Sequence, residues 1–204
     1  MRSLLTIICL CFLQCMLAQK NCFEEANRYR FDSWLKDSTK TNLPFDSLTA
    51  HIRRSQQMLI NCQFPNDSFT TVSGKHSSLG KYKGKILIID FWSVYCVPCV
   101  NAIPSFHALQ KKYGKDLAIL GVTLDSKDAV LKFLPKHPFN VDIVADARTF
   151  FEKYSLGSGY PLTLVVDKKG LIIHFRSGVK VEEESPMEVF NEFTPVIDKA
   201  LKQK

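Results

Sequence analysis

The sequence predicts an α/β fold in which a mixed central sheet is flanked by helices and preceded by a helical extension. Three observations predict it. Residues 86–91 (Ile-Leu-Ile-Ile-Asp-Phe) are almost wholly apolar, the pattern of a strand buried on both faces. From there to residue 166, apolar runs of strand length alternate with segments of helical spacing. Asp167-Lys168-Lys169-Gly170 then reads as a hairpin turn between two apolar runs, and an amphipathic helix closes the chain.

Taken in order, the first segment differs from the rest. Met1-Arg2 gives a basic start, an apolar stretch runs from Leu4 to Leu13, and Ala18 precedes Gln19. Residues 1–18 read as a secretory signal peptide, and the apolar stretch is shorter than the ~20 residues of a spanning helix. An uncleaved anchor, or acylation at Cys15 or Cys22, fits less well, because the residues before both cysteines suit lipid attachment badly. Residues 19–64 form a helical N-terminal extension. Phe23, Ala26 and Trp34 recur at helical spacing, Asn42-Leu43-Pro44 breaks the pattern, and Asp46 or Ser47 can cap a second helix carrying Leu48, Ile52, Leu59 and Ile60. The extension is expected to cap the main domain; a surface for a partner or substrate protein is the other reading.

The main domain is expected over residues 65–204. Residues 69–72 alternate like a strand and Ser73-Gly74-Lys75 is a turn. The central strand at 86–91 leads into a helix from about 96 to 113, which contains Pro104 and so must bend. Residues 117–124 give a second buried strand. Asp125 or Ser126 caps a helix ending before Pro135; a short strand at 141–144 and a short helix at 148–154 follow. Gly157-Ser158-Gly159 approaches Tyr160-Pro161, the hairpin spans 162–176, and Pro186 opens the last helix. Hydrophobic residues make up 46% and charged residues 23%, which places the chain among folded globular proteins. The net charge is +7, but the lysines and arginines are scattered and no aromatic stacking platform accompanies them, so nucleic acid is not an expected partner.

The chemistry concentrates at Cys96-Val97-Pro98-Cys99, where the central strand turns into a helix. A Cys-x-x-Cys there is a redox pair. Cys96 meets the free N–H groups of the helix start, which favour its thiolate, and Cys99 lies on the same helix face, close enough to close a small disulfide ring. A structural disulfide or half a zinc site are the alternatives, and no second Cys-x-x-Cys or paired histidine completes such a site, so neither metal nor cofactor is expected. Removal of residues 1–18 would leave Cys22, Cys62, Cys96 and Cys99. Cys22 and Cys62 then form a tentative structural disulfide, or serve as small buried hydrophobes.

Phe91-Trp92 ahead of the cysteine pair, Pro104, Gly159-Tyr160-Pro161-Leu162-Thr163 and Asp167-Lys168-Lys169-Gly170 together resemble the thioredoxin-fold oxidoreductases, in their exported TlpA/ResA-like branch. The resemblance covers about residues 65–202, and residues 69–84 resemble an N-terminal strand pair of that branch and of the peroxiredoxins. It implies a thiol–disulfide oxidoreductase of the cell envelope, with Cys96 as nucleophile and Cys99 resolving the mixed disulfide. It implies that Pro161 is cis and leaves the backbone of Tyr160 free to pair with a substrate strand. It places Trp92, Tyr95, Tyr160 and Pro161 at the substrate. Asp90 takes the position of a buried acid that accepts the proton of Cys99; the other reading is a strand-end carboxylate paired with Lys85 or solvated. Two residues depart from the pattern: Tyr95 stands where Trp is common, its ring still able to cover the site, and Ala102 stands where an acid is common. No histidine lies between the cysteines, which favours a reductant or mild exchanger. The expected partners are client proteins with disulfides or thiols and a membrane or envelope redox protein, and the chain is expected to be a monomer in the periplasm or envelope. A peroxiredoxin-like peroxidase built on Ser93-x-x-Cys96, and a binding module with an idle pair, are the alternatives.

Overall fold

The computed structural model describes residues 22–37, 45–178 and 186–203. The expected signal peptide and the Asn42-Leu43-Pro44 break lie outside the described residues. Two helices come first, α1 (22–37) and α2 (Phe45–Met58). A small antiparallel pair, β1 (Ser68–Thr70) and β2 (His76–Ser78), precedes the central strand β3 (Ile86–Phe91). Then follow α3 (Val97–Tyr113), β4 (Leu117–Val122), α4 (Lys127–Phe133), β5 (Asp142–Val144), α5 (Arg148–Tyr154), β6 (Leu162–Val166), β7 (Ile172–Ser177) and α6 (Glu188–Lys202). The main sheet has the order β5-β4-β3-β6-β7, with β3, β4 and β5 parallel and β6 and β7 antiparallel to their neighbours.

All six residues of β3 are buried, and their alternation sorts the core into two layers. Ile86 and Ile88 pack with Ile103, Phe106 and Leu109 of α3 and with Phe193 and Ile197 of α6. Leu87, Ile89 and Phe91 face the other way, onto Phe150 and Tyr154 of α5 and onto Phe23, Ala26, Leu59 and Phe64. The first two helices therefore share a core with the sheet. Residues 61–64 also run along β7: Asn61 N–H donates to Ile172 O (2.8 Å), Ile172 N–H to Cys62 O (2.9 Å) and Phe64 N–H to Gly170 O (2.8 Å). They cover part of an edge that would otherwise offer unpaired backbone groups.

Two details differ from the sequence reading, and a third settles one of its alternatives. Helix α2 begins at Phe45, so neither Asp46 nor Ser47 occupies its cap position. Ser126 caps α4, accepting the N–H of Ala129 at 3.2 Å, and Asp125 is left for another task. Helix α6 begins at Glu188 and carries Pro195 in its interior, where the ring removes one backbone donor. The 167–170 turn forms as expected. Asp167 Oδ1 accepts the N–H groups of Lys169 (2.9 Å) and Leu171 (2.8 Å), and Gly170 supplies the left-handed residue at φ 88°.

A disulfide joins Cys22, at the start of α1, to Cys62, just beyond α2, across a sequence separation of 40. Closing a loop of that length removes unfolded-chain entropy, so Cys22→Ser/Cys62→Ser is expected to lower stability by about 4 kcal/mol. Urea unfolding of oxidised wild type and the double variant measures this, and coincident midpoints would refute it.

Candidate active site

The site grows from the C-terminal end of β3. Trp92 N–H donates to Val122 O (3.0 Å), after which the chain leaves the sheet. Asp125, at the end of the neighbouring strand, catches it. The Asp125 carboxylate accepts the N–H of Val94 (2.7 Å) and the hydroxyl of Ser93 (3.1 Å). Ser93 closes the turn, its Oγ accepting from Tyr95 N–H (3.2 Å) and its carbonyl from Cys96 N–H (3.0 Å). That turn delivers Cys96 as the N-cap of α3, with Pro98 in the first turn, where no donor is required.

Cys96 and Cys99 are disulfide-bonded, with Cα atoms 5.2 Å apart. The two sulfurs are not equivalent. Cys99 is 3% exposed and packs with Ile103 and Trp92, whereas Cys96 is half-buried and sits between Tyr95 and Val97, 82% and 68% exposed. Cys96 Sγ also accepts the N–H of Cys99 at 3.3 Å, a contact that stabilises negative charge on that sulfur when the pair is reduced. An incoming sulfur therefore reaches Cys96 first.

Asp90 lies on the β3 face that carries Ile86 and Ile88, the face covered by Cys99 and Ile103. It is 3% exposed, and Thr163 Oγ1 donates to its Oδ1 at 2.8 Å across the β3–β6 pair. Burial pushes its pKa from 3.8 to about 7, against the opposing pull of the Thr163 hydroxyl and the Arg176 charge. The β4 residue beside it is Gly121, and a Cβ there would lie 2.9 Å from Trp92 Nε1. Asp90 thus receives no side chain from β4. Lys85 is exposed at the opposite end of β3, so the pairing or solvation of Asp90 weighed from sequence does not occur.

The Tyr160–Pro161 peptide bond is cis. The register pairs Phe91 with Leu162, which sets Pro161 beside the start of the Trp92–Cys96 turn. Pro161 O accepts from Gly178 N–H (2.9 Å), and Tyr160 OH accepts from Leu124 N–H (3.0 Å) while its ring packs edge-on against Phe151. Among the described residues no backbone group pairs with the N–H or carbonyl of Tyr160.

One expected substrate contact needs correction. Trp92 is 1% exposed, wedged between Phe133 and Phe139, so it supports the site from the core and cannot touch a client. Tyr95, next to Cys96, is 82% exposed and open to an approaching chain. Asp125 was missed because an Asp-Ser pair ahead of an apolar helix reads as a cap; its place at the C-terminal end of the strand next to β3 was the available signal. Among the described residues no group of three or more His, Cys, Asp or Glu is placed to hold a metal ion.

The sequence model of the AhpC/TSA family matches residues 60–175. The chain is 33% identical over 133 residues to a thioredoxin-like protein, YneN, of Bacillus subtilis, covering 62% of this chain and 78% of that protein. It is 30% identical over 122 residues to the thiol-disulfide oxidoreductase ResA of the same organism, covering 58% and 67%. Among solved structures, a thiol:disulfide interchange protein of the thioredoxin family from Chlorobium tepidum superposes with a TM-score of 0.58 at 20% identity, covering 68% of this chain and 95% of that one, a likeness of fold.

Proposed function

Because the chain belongs to the AhpC/TSA family and to the thioredoxin-fold thiol–disulfide oxidoreductases within it, we propose that it exchanges disulfides with client proteins through Cys96 and Cys99, as a reductant or mild exchanger. The observation that carries this is the asymmetry of the pair: a reachable Cys96 at the helix start bonded to a buried Cys99. In the reduced protein, the Cys96 thiolate attacks one sulfur of a client disulfide, forming a mixed disulfide and releasing the other client sulfur as a thiolate. Asp90 accepts the proton of Cys99, whose sulfur then attacks Cys96 Sγ. The Cys96–Cys99 bond forms and the client leaves as a dithiol, two electrons richer. A dithiol donor, an envelope redox protein in the cell, returns the pair to its reduced state. Tyr160 presents its unpaired backbone to an extended client segment, which adds as a strand.

The same reading places the protein outside the cytoplasm, as a monomer of the envelope or periplasm. The leader-like residues 1–18 and the Cys22–Cys62 bond support this, since disulfides persist in oxidising compartments. The purified protein is expected to accelerate reduction of insulin by dithiothreitol, followed as precipitation of the B chain. Peroxide consumption faster than insulin reduction would favour a peroxidase, and inertness towards both would leave a binding module.

A further inference from the structure

The loop that presents Tyr160–Pro161 is held from outside the family's shared region. It runs from the end of α5 to β6 and is turned by two left-handed residues, Leu156 (φ 51°) and Gly157 (φ 73°), with Leu156 fully buried. Ser158 N–H donates to Ser155 O at 2.9 Å. Two further contacts come from α1 and α2. Gln56 Nε2 donates to Ser158 Oγ at 2.8 Å, a bond between groups only 5% and 7% exposed and 102 residues apart in sequence. The Arg30 guanidinium lies close against Gly157, where a Cβ would stand 2.8 Å from Nη1, and Arg30 Nε is buried without a hydrogen-bond partner among the described residues. Both contacts fall two or three residues ahead of Tyr160–Pro161. Behind them the helix pair is fixed by the Cys22–Cys62 bond and by Phe23, Ala26 and Leu59, which share a core with Tyr154 and Leu156. The family match begins at residue 60, so Arg30 and Gln56 lie outside the matched region.

A polar pair buried at this depth is a poor source of stability compared with an apolar contact of the same shape, but it fixes one arrangement of the groups it joins. Here the group fixed is the hinge of the client-binding loop. We propose that α1 and α2 form a positioning element for client recognition, in which Gln56, with Arg30, holds residues 157–158 so that the backbone of Tyr160 is aligned for an extended client segment. This rests on the exchange reaction proposed above and assigns the recognition of polypeptide, as distinct from small disulfides, to the N-terminal extension. Gln56 is a positioning residue: it acts through Ser158 and touches neither the client nor the cysteines.

The test compares a polypeptide with a small disulfide. Full-length wild type, Gln56→Leu, Ser158→Ala and the double variant are assayed with insulin and with hydroxyethyl disulfide. The KM for insulin is expected to rise about fivefold in each variant, the effect of one buried hydrogen bond, while kcat and the rate with hydroxyethyl disulfide change less than about twofold. The double variant should be no worse than either single one, because both lose the same bond. Equal losses on the two disulfides, an unchanged insulin KM, or additive losses would each overturn the proposal. Should Gln56→Leu lose its fold by circular dichroism, Ser158→Ala, which removes one oxygen, carries the comparison alone. Wild type inert towards both disulfides would remove the exchange reading itself; active wild type with unchanged variants removes only the role of the extension.

Discussion

Cys96→Ser is expected to abolish disulfide exchange, by more than about a thousandfold, while Cys99→Ser keeps the first chemical step and loses the second. The difference follows from where the sulfurs sit. Only Cys96 is reachable from outside, and only its sulfur receives the N–H of Cys99 at the start of α3. Serine at 96 offers a hydroxyl that is not ionised at neutral pH and forms no disulfide. Cys99, at 3% exposure behind it, cannot substitute, because an attacking thiolate needs a line to the client sulfur. With Cys99→Ser the Cys96 thiolate still attacks, and nothing resolves the product. Covalent adducts between Cys96 and client should then accumulate, visible on non-reducing gels and located by mass spectrometry. Adducts on Cys99 in Cys96→Ser, forming as fast as those on Cys96 in Cys99→Ser, would invert the assignment.

How far the sequence alone could have taken a reader depends on whether a feature is local. The apolar run at 86–91, the cysteine spacing and the 167–170 turn are local patterns, and each stands where its pattern puts it. Features made by contact between distant segments were illegible. Asp125 carries the signature of a helix cap and is diverted to Ser93 and Val94, 32 and 31 residues earlier, because β4 ends beside β3. Trp92 looks like an active-site aromatic by position, yet it turns inward over Gly121, whose missing side chain makes room for the indole. The extension reads as amphipathic helices, but nothing in its own residues says that Gln56 will find Ser158. Asp90 lies between these cases. Its place at the end of an apolar strand left burial and solvation both open, and its partner Thr163 became identifiable only once the β3–β6 register was known.

That buried carboxyl is also where stability and activity should separate. Asp90→Asn is expected to make the protein more stable at pH 8 and slower in exchange at pH 7. Burial raises the folded-state pKa from 3.8 to about 7, so the folded protein holds this proton more tightly than the unfolded chain does. Stability from this group is fully present below about pH 4 and is lost as pH rises through about 7. A shift of that size corresponds to about 4 kcal/mol, at ~1.4 kcal/mol per pH unit. Asparagine keeps an acceptor for the Thr163 hydroxyl but carries no charge to bury, so it escapes the decline. The variant's advantage over wild type in urea unfolding should therefore be small at pH 4 and reach several kcal/mol at pH 8. Its turnover should fall roughly a hundredfold near pH 7 if Asp90 takes the Cys99 proton, and recover as the medium itself begins to ionise the thiol at higher pH. A stability difference independent of pH would mean that the Asp90 carboxyl titrates alike in the folded and unfolded chains, so that burial does not raise its pKa. A loss of turnover equal at every pH would mean that its role is not proton transfer. The residue would then be retained in the core at a cost in stability without the chemistry that explains it.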